Sequence, residues 1–257
     1  GFPTHVKLSG EAEIYIVNGA ECEPLLKVDQ QLGEKYAADL VRGLELAMQA
    51  VGAKEGIVCL KAKYEKAIAA ITPLLRANMR IHILKDIYPA GDEVITIWMA
   101  TGRRVPPAGR PKDVGVAVNN SLTLINLARA VDQDQPVITR TLTITGAVAN
   151  PITVTVPIGV SLREVLALAG GATVDNPEFI DGGPMMGNAQ FSLDAPVVKG
   201  TNAFLAFAGN EDKRVKDPQC IRCGKCVGVC PIRLEPIFMY KYLMKGDVDT
   251  WQNVLHG

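Results

Sequence analysis

The sequence has no excess of charge of either sign and no long hydrophobic run. Its 257 residues carry 27 lysines and arginines against 27 aspartates and glutamates, so the formal net charge is zero. Because binding to nucleic-acid phosphates needs a basic surplus, this balance argues against nucleic acid as the main partner. The longest apolar stretches, such as residues 203–208, are only as long as a β-strand. A membrane-spanning helix needs about 20 apolar residues, so the sequence predicts no transmembrane segment.

An initiating methionine and a signal-peptide pattern are also absent. The sequence starts with Gly-Phe-Pro and stops at Gly257. From these features we expect a piece of a longer protein, cut at both ends.

Residues 1–135 alternate between apolar strands and amphipathic helices, which predicts one α/β domain with a parallel sheet covered on both faces. The predicted strands are residues 11–17, 57–60, 81–84 and 114–118. The predicted helices are 28–51 as one continuous helix that stops at Gly52, 64–75 with an early end or a kink at Pro73, 93–99 and 121–131.

Residues 136–208 have a different pattern. Residues 139–145 and 152–156 alternate between threonine and apolar side chains on either side of Gly146, which predicts a β-hairpin. Ser161 and Glu164 form a capping box that starts a helix ending at Leu168. This segment therefore predicts a small α+β domain, and the charged residues 209–219 predict a linker after it.

The strongest chemical signal is a cysteine motif. Four of the six cysteines, Cys220, Cys223, Cys226 and Cys230, lie within eleven residues and are separated by two, two and three residues. This spacing, followed by proline, is typical of 4Fe–4S ferredoxins. Zinc is the alternative metal, although its sites usually place the second cysteine pair a dozen or more residues away. No second such motif follows, so either all four cysteines bind one cluster or the segment 209–257 is a truncated two-cluster module.

Five segments resemble one family closely. They are residues 1–7, 17–24, 88–93, 119–123 and 181–187, which read GFPTHVK, VNGAECEP, YPAGDE, NNSLT and DGGPMMG. They resemble the RnfC-like group of flavin and iron–sulfur electron-transfer proteins, which is related to the flavin-bearing subunit of respiratory complex I. The resemblance implies a Rossmann-like flavin and nucleotide domain at 1–135. It further implies a soluble-ligand-binding β-grasp (SLBB) domain at 136–208 and a short helical ferredoxin-like segment at 209–257.

The resemblance also implies cofactors and site residues. FMN would accept a hydride from NADH and pass electrons singly to 4Fe–4S clusters. The implied FMN contacts are Lys7, Asn18, Glu21, Tyr88, Asp92, Asn119, Asn120 and Thr123, and the implied NADH contacts are Phe2, Glu23 and Glu93. Two features depart from complex I: Ala20 replaces an acidic residue, and the glycine-rich loop that precedes Gly-Phe-Pro-Thr is missing here.

The resemblance leaves the electron acceptor open. The family includes cobalamin reductases of propanediol-degrading microcompartments and components of the Rnf membrane complex. Both imply a bacterial cytoplasmic protein, inside a microcompartment or on the inner face of the membrane, with a redox protein, a membrane complex or a cobalamin-dependent system as partner. The alternative function is a non-catalytic electron carrier or adaptor that binds partners through the SLBB domain.

Overall fold

The computed structural model describes residues 4–209, 220–230 and 234–253. The chain separates into two compact units, residues 1–211 and residues 212–257. The predicted linker at 209–219 lies outside the described residues except for its first residue, Gly209.

The first unit contains a four-stranded sheet in which every pair of neighbouring strands is parallel. Its strands are β1 (Ile14–Asn18), β2 (Glu55–Lys61), β3 (Met79–Leu84) and β4 (Val116–Asn120), in the order β3-β2-β1-β4. The chain steps outward from β1 to β2 and β3, then returns to the other side of β1 for β4. The strand order thus reverses between β1 and β4, and ligands of open α/β sheets bind beyond the carboxyl ends of strands at such a reversal.

Helices connect these strands and cover both faces of the sheet. They are α1 (Thr4–Leu8), α2 (Val28–Lys35), α3 (Ala37–Val51), α4 (Glu65–Ile71), α5 (Glu93–Thr101) and α6 (Ser121–Gln133). Alternate side chains of β1 enter two separate cores: Tyr15 and Val17 join the core with α2, α3, α4 and α6, while Ile16 joins the core on the α5 face. The predicted α/β fold with a doubly covered parallel sheet is therefore confirmed.

One prediction about the helices is wrong. Residues 28–51 form two helices rather than one, because the backbone leaves helical geometry at Tyr36, with φ −124° and ψ 36°. The Arg129 guanidinium lies 4.4 Å from the centre of the Tyr36 ring. The break lets α2 pack against α4 while α3 packs against α6. The predicted end at Gly52 is confirmed, with Gly52 in the left-handed conformation, and α4 ends before Pro73 as predicted.

A second, mixed sheet follows along the chain. Its strands are β5 (Thr139–Gly146), β6 (Ile152–Pro157), β7 (Pro177–Asp181), β8 (Asn188–Gln190) and β9 (Ala203–Ala208), in the order β6-β5-β9-β7-β8. The predicted hairpin is β5 with β6, and the predicted capping box is present at the start of α7 (Leu162–Leu168). Leu162 and Val165 of this helix pack with Phe204 of β9 in a third core.

The second unit contains three short helices among its described residues: α8 (Lys225–Val229), α9 (Pro236–Met244) and α10 (Val248–Asn253). Within the described parts of both units, no helix is long and apolar enough to span a membrane.

Helices α3 and α6 approach each other closely at Gly43 of α3. A Cβ atom at this position would lie 2.0 Å from the Leu124 carbonyl oxygen of α6. We expect Gly43→Ala to lower the free energy of unfolding by about 2 kcal/mol or more, since the two helix backbones would have to move apart. Urea unfolding measures this change. Gln49→Ala, at an exposed position of the same helix, is the control, and an equal effect of both variants would contradict the explanation.

Candidate functional site

The loops after β1 and before α5 are joined at the carboxyl edge of the parallel sheet. Asn18 donates from Nδ2 to the Gly91 carbonyl at 2.7 Å, and its Oδ1 accepts from the Ala20 N–H at 3.2 Å. A Cβ atom on Gly91 would lie 2.5 Å from the Ala20 carbonyl oxygen, so only glycine fits there. Asn18, a predicted FMN contact, therefore braces two loops of the site.

Asp92 begins the helix that follows. Its Oδ1 accepts hydrogen bonds from the N–H groups of Val94 at 2.9 Å and Ile95 at 3.1 Å, which caps α5. Tyr88 lies four residues earlier, next to a cis peptide bond to Pro89, and is 46% exposed. The structure thus places Tyr88, partly exposed, in the loop before α5 and gives Asp92 a structural role.

Lys7, a predicted FMN contact, is bonded to Glu93, a predicted NADH contact. Its ammonium group pairs with the Glu93 carboxylate and also donates to the Val118 carbonyl of β4 at 2.8 Å. A compact cation is therefore held at the carboxyl end of β4. Phe2, the remaining predicted NADH contact at this terminus, lies outside the described residues.

The two asparagines at the end of β4 differ in their partners. Asn119 is buried, and its Oδ1 accepts from the Tyr15 hydroxyl at 3.3 Å. Asn120 caps α6 by accepting from the Leu122 N–H at 3.0 Å, and its Nδ2 donates to Asp29 at 2.8 Å. Asn120 thus holds the start of α6 against α2.

Two buried carboxyl groups lie beneath this edge. Glu21 and Asp29 are 8% and 7% exposed, and the Glu21 carboxylate accepts a hydrogen bond from the Asp29 main chain. Burial is the main cause that raises the pKa of both groups, and the Asp29 charge raises the pKa of Glu21 further. In opposition, the hydrogen bond from Asn120 lowers the pKa of Asp29, as does the positive charge of Arg140. The pair therefore binds protons at higher pH than free carboxylic acids do.

A cavity of about 350 Å³ opens at the reversal of strand order. The predicted FMN contacts that line it are Lys7, Glu21, Asn119, Asn120 and Thr123. The predicted contacts Asn18, Tyr88 and Asp92 are not among its lining residues. Five predicted residues are thus brought together, while the other three belong to the neighbouring loops.

Several lining residues were not predicted from the sequence. They are Val28, Asp29, Leu122, Arg140, Lys199, Gly200 and Asn202. Arg140 comes from β5, and its Nε donates to the Thr201 carbonyl at 2.6 Å. In the sequence, Arg140 differs from its neighbours only as a charge within a run of threonine and apolar residues, which does not indicate a ligand site. The contribution of the β-grasp sheet to this cavity is therefore a finding of the structure.

Glu23 does not line this cavity. Its two carboxylate oxygens accept hydrogen bonds from the main-chain N–H groups of Met185 and Met186, each at 2.9 Å. The predicted NADH contact is therefore bonded to the glycine-rich turn between β7 and β8.

The cysteine segment has features that suit thiolate ligands. Arg222 and Gly224 have φ of 57° and 74°, which curl the chain between the first and third cysteines. The Leu234 N–H donates to Cys230 Sγ at 3.3 Å, and hydrogen bonds to sulfur are among the features that set the reduction potential of iron–sulfur clusters. Among the residues that the structure describes, no three histidine, cysteine, aspartate or glutamate side chains converge as a metal site. Cys220, Cys223 and Cys226 are exposed, whereas Cys59 is buried.

Comparison with known proteins identifies the domain that contains the first sheet. The family model of the Nuo51 FMN-binding domain (Complex1_51K) matches residues 1–129. The chain belongs to this family. The SLBB domain model matches residues 141–189. The predicted kinship with the RnfC-like proteins and the flavin-bearing part of complex I is thereby confirmed.

Curated relatives are similar to this chain over most of its length. Cobalamin reductase PduS of Salmonella typhimurium is 58% identical in an alignment 246 residues long that covers 91% of this chain and 54% of that protein. A component of the Na⁺-translocating ferredoxin:NAD⁺ oxidoreductase complex of Acetobacterium woodii is 40% identical, over 98% of this chain and 58% of that protein. The chain thus spans little more than half of either relative.

A crystal structure of an NAD⁺-reducing nickel–iron hydrogenase has the same fold. It superposes with a TM-score of 0.68 at 23% identity, over 81% of this chain and 43% of the hydrogenase chain.

The raised pKa of the buried acids predicts a pH dependence of stability. The folded state binds more protons than the unfolded state between the ordinary carboxyl pKa, about 4, and the raised values. The contribution of these groups to the free energy of unfolding is therefore fully present at low pH. It is lost as the pH rises through their pKa in the folded state. We expect Glu21→Gln to reduce this loss by about 1 kcal/mol or more, the free energy of one pKa unit.

Urea unfolding of the wild-type chain and the variant across this pH range measures the effect. Glu11→Gln is the matched control, because Glu11 is exposed. Parallel pH profiles for all three proteins would show that Glu21 is not responsible.

Proposed function

We propose that this chain is the flavin- and cluster-binding part of an electron-transfer oxidoreductase. NADH would be the donor, FMN the first acceptor and a 4Fe–4S cluster the next. The observation that carries the proposal is the cavity at the reversal of strand order, lined by five of the residues expected to contact FMN. The FMN-binding family match over residues 1–129 supports it.

The chemistry of the lining residues suits a flavin mononucleotide. A buried asparagine offers both a donor and an acceptor, as the polar edge of an isoalloxazine ring requires. Thr123 lies in the first turn of α6, where the helix N-terminus favours a phosphate. Lys7 adds a cation at the same edge. FMN, when bound, would supply the conversion of a hydride into two single electrons.

The remaining predicted contacts would act around this cavity. Asn18, Asp92 and Asn120 hold the loops in place, and Tyr88 is partly exposed in the loop before α5. Glu93 is the described residue best placed to meet the nicotinamide nucleotide, since its carboxylate already pairs with Lys7 beside the cavity. Phe2 is proposed for the same nucleotide on the resemblance alone.

The electron acceptor is proposed from the relatives. The cobalamin reductase is more similar to this chain than the component of the ferredoxin:NAD⁺ oxidoreductase complex, at 58% against 40% identity. This difference favours a cobalamin-type acceptor in a bacterial microcompartment or the surrounding cytoplasm over an Rnf-type membrane complex. The three-domain division at 1–135, 136–208 and 209–257 is part of the same proposal.

Flavin binding tests the assignment of the cavity. We expect the chain to quench the fluorescence of added FMN and Asn119→Ala to weaken FMN binding about ten-fold or more, because a buried polar group loses its partner. Asn126→Ala, on the following helix α6 but not among the residues that line this cavity, is the control and should bind FMN normally. Anaerobic NADH should then bleach the flavin absorbance. Absence of both binding and bleaching would favour the non-catalytic adaptor.

Iron binding tests the cysteine motif separately. After anaerobic reconstitution with iron and sulfide, we expect the broad iron–sulfur absorbance in the unaltered chain and its loss in Cys223→Ser, since the cluster needs each thiolate ligand. Cys22→Ser is the control, because Cys22 lies outside the motif. Unchanged iron content in Cys223→Ser would refute the assignment, and zinc in place of iron would identify the alternative metal.

A further inference from the structure

The glycine-rich turn at residues 181–187 links β7 to β8. Its Gly187 N–H donates to the Gly183 carbonyl at 2.8 Å, which closes a single helical turn. The first N–H groups of any helical turn have no acceptor within the turn itself. The amides of Met185 and Met186 therefore need partners outside the turn, either another segment of the chain or water.

Glu23 supplies both acceptors. One carboxylate oxygen accepts from Met185 and the other from Met186, each at 2.9 Å, across 162 and 163 residues of sequence. Hydrogen bonds to an ionised carboxylate are roughly twice as strong as those between neutral groups. The loop after β1 is thus fastened to the turn by a bidentate contact.

Gly183 allows this contact. A Cβ atom here would lie 2.3 Å from both Cγ and Cδ of Glu23 and 2.4 Å from its Oε2. Gly183 does not have a positive φ, so the requirement for glycine comes from the close passage of Glu23 and not from the backbone conformation. The sequence of the turn and the position of Glu23 therefore depend on each other.

Side-chain packing contributes little to holding the turn. Met185 and Met186 are 55% and 78% exposed. Their main-chain amides are held while their side chains face solvent, which leaves the Glu23 carboxylate as the main described link between this turn and the flavin domain. The loop that carries Tyr88 passes beside this segment, since a Cβ atom on Gly91 would lie 3.0 Å from the Cβ of Cys22, the residue before Glu23.

We propose that Glu23 is a positioning residue that fastens the turn 181–187 to the loop after β1, beside Tyr88, and so fixes one wall of the nucleotide-binding side. Glu23 acts on the nicotinamide nucleotide through this turn and not by direct contact. The second part of the proposal rests on the proposed function, whereas the fastening does not.

Hydrogen exchange of the peptide that contains residues 183–187 tests the fastening. We expect Glu23→Ala and Gly183→Ala each to speed exchange of the Met185 and Met186 amides about ten-fold or more. Gly183→Ala keeps the Glu23 carboxylate but displaces it. Both variants should therefore break the hydrogen bonds to Met185 and Met186, one by removing the carboxylate and the other by moving it. Glu178→Ala, which removes an exposed carboxylate of β7, is the control. Unchanged exchange in both test variants would overturn the proposal.

The dependence of flavin reduction on NADH concentration separates positioning from direct contact. Positioning predicts that Glu23→Ala and Gly183→Ala raise the half-saturating NADH concentration by a similar factor. A direct contact predicts a rise in Glu23→Ala alone, because Gly183→Ala leaves the carboxylate free to reach the nucleotide, and this result would overturn the positioning role. Failure of NADH to bleach the unaltered, FMN-loaded chain would count against the proposed function alone, while exchange would still decide whether Glu23 fastens the turn.

Discussion

The site depends on how the loops at the carboxyl edge of the parallel sheet satisfy their main-chain hydrogen bonds. Parallel strands end inside the protein, and a buried N–H or carbonyl without a partner is costly. Asn18 bonds to main-chain groups at Ala20 and Gly91, Asp92 caps α5, and Asn120 caps α6. The polar residues that resemble flavin contacts are thus also the ones that shape the loops.

This double use explains why the motif residues are small and polar. An asparagine can accept from one main-chain group and donate to another, which neither leucine nor aspartate can do. At Asn18 both halves of the amide are used within the protein. At Asn119 the Oδ1 is bonded to Tyr15, and its side chain lines the cavity. Asn18 and Asn119 therefore differ in what they can offer a ligand, although both belong to the segments that resemble flavin contacts.

Local patterns predicted the fold well but could not predict contacts between distant segments. Alternating apolar segments predicted the strands, and Gly52 and the Ser161–Glu164 capping box predicted helix ends, because each of these signals acts within a few residues. The break at Tyr36 was missed since helical periodicity continues through it, whereas the contact of Arg129 with the ring comes from the distant helix α6. The place of Arg140 in the cavity and the bonds of Glu23 also depend on how β5 and the 181–187 turn lie against the first sheet. Family resemblance named Glu23 and Asn120, but it did not reveal their bonds.

The charges of the cavity also depend on both sheets. Glu21 and Asp29 would repel an anionic ligand if both were ionised, and burial disfavours that state. Arg140 opposes this effect, since its positive charge lowers the pKa of Asp29 and comes from the β-grasp sheet. The protonation of the acids beneath the first sheet is therefore set partly by the position of the second sheet.

The segment between β1 and α2 carries most of these connections. Within ten residues, Asn18 braces the sheet edge, Glu21 bonds to the start of α2 and Glu23 holds the 181–187 turn. Leu26 then packs in a small core with Ala203 and Leu205 of β9, and the Lys27 N–H donates to Thr143 at 3.3 Å. Because so short a segment has little slack, a shift of the β-grasp sheet must move the loop that borders the cavity. The second sheet is therefore a structural part of the cavity and not a separate module attached to it.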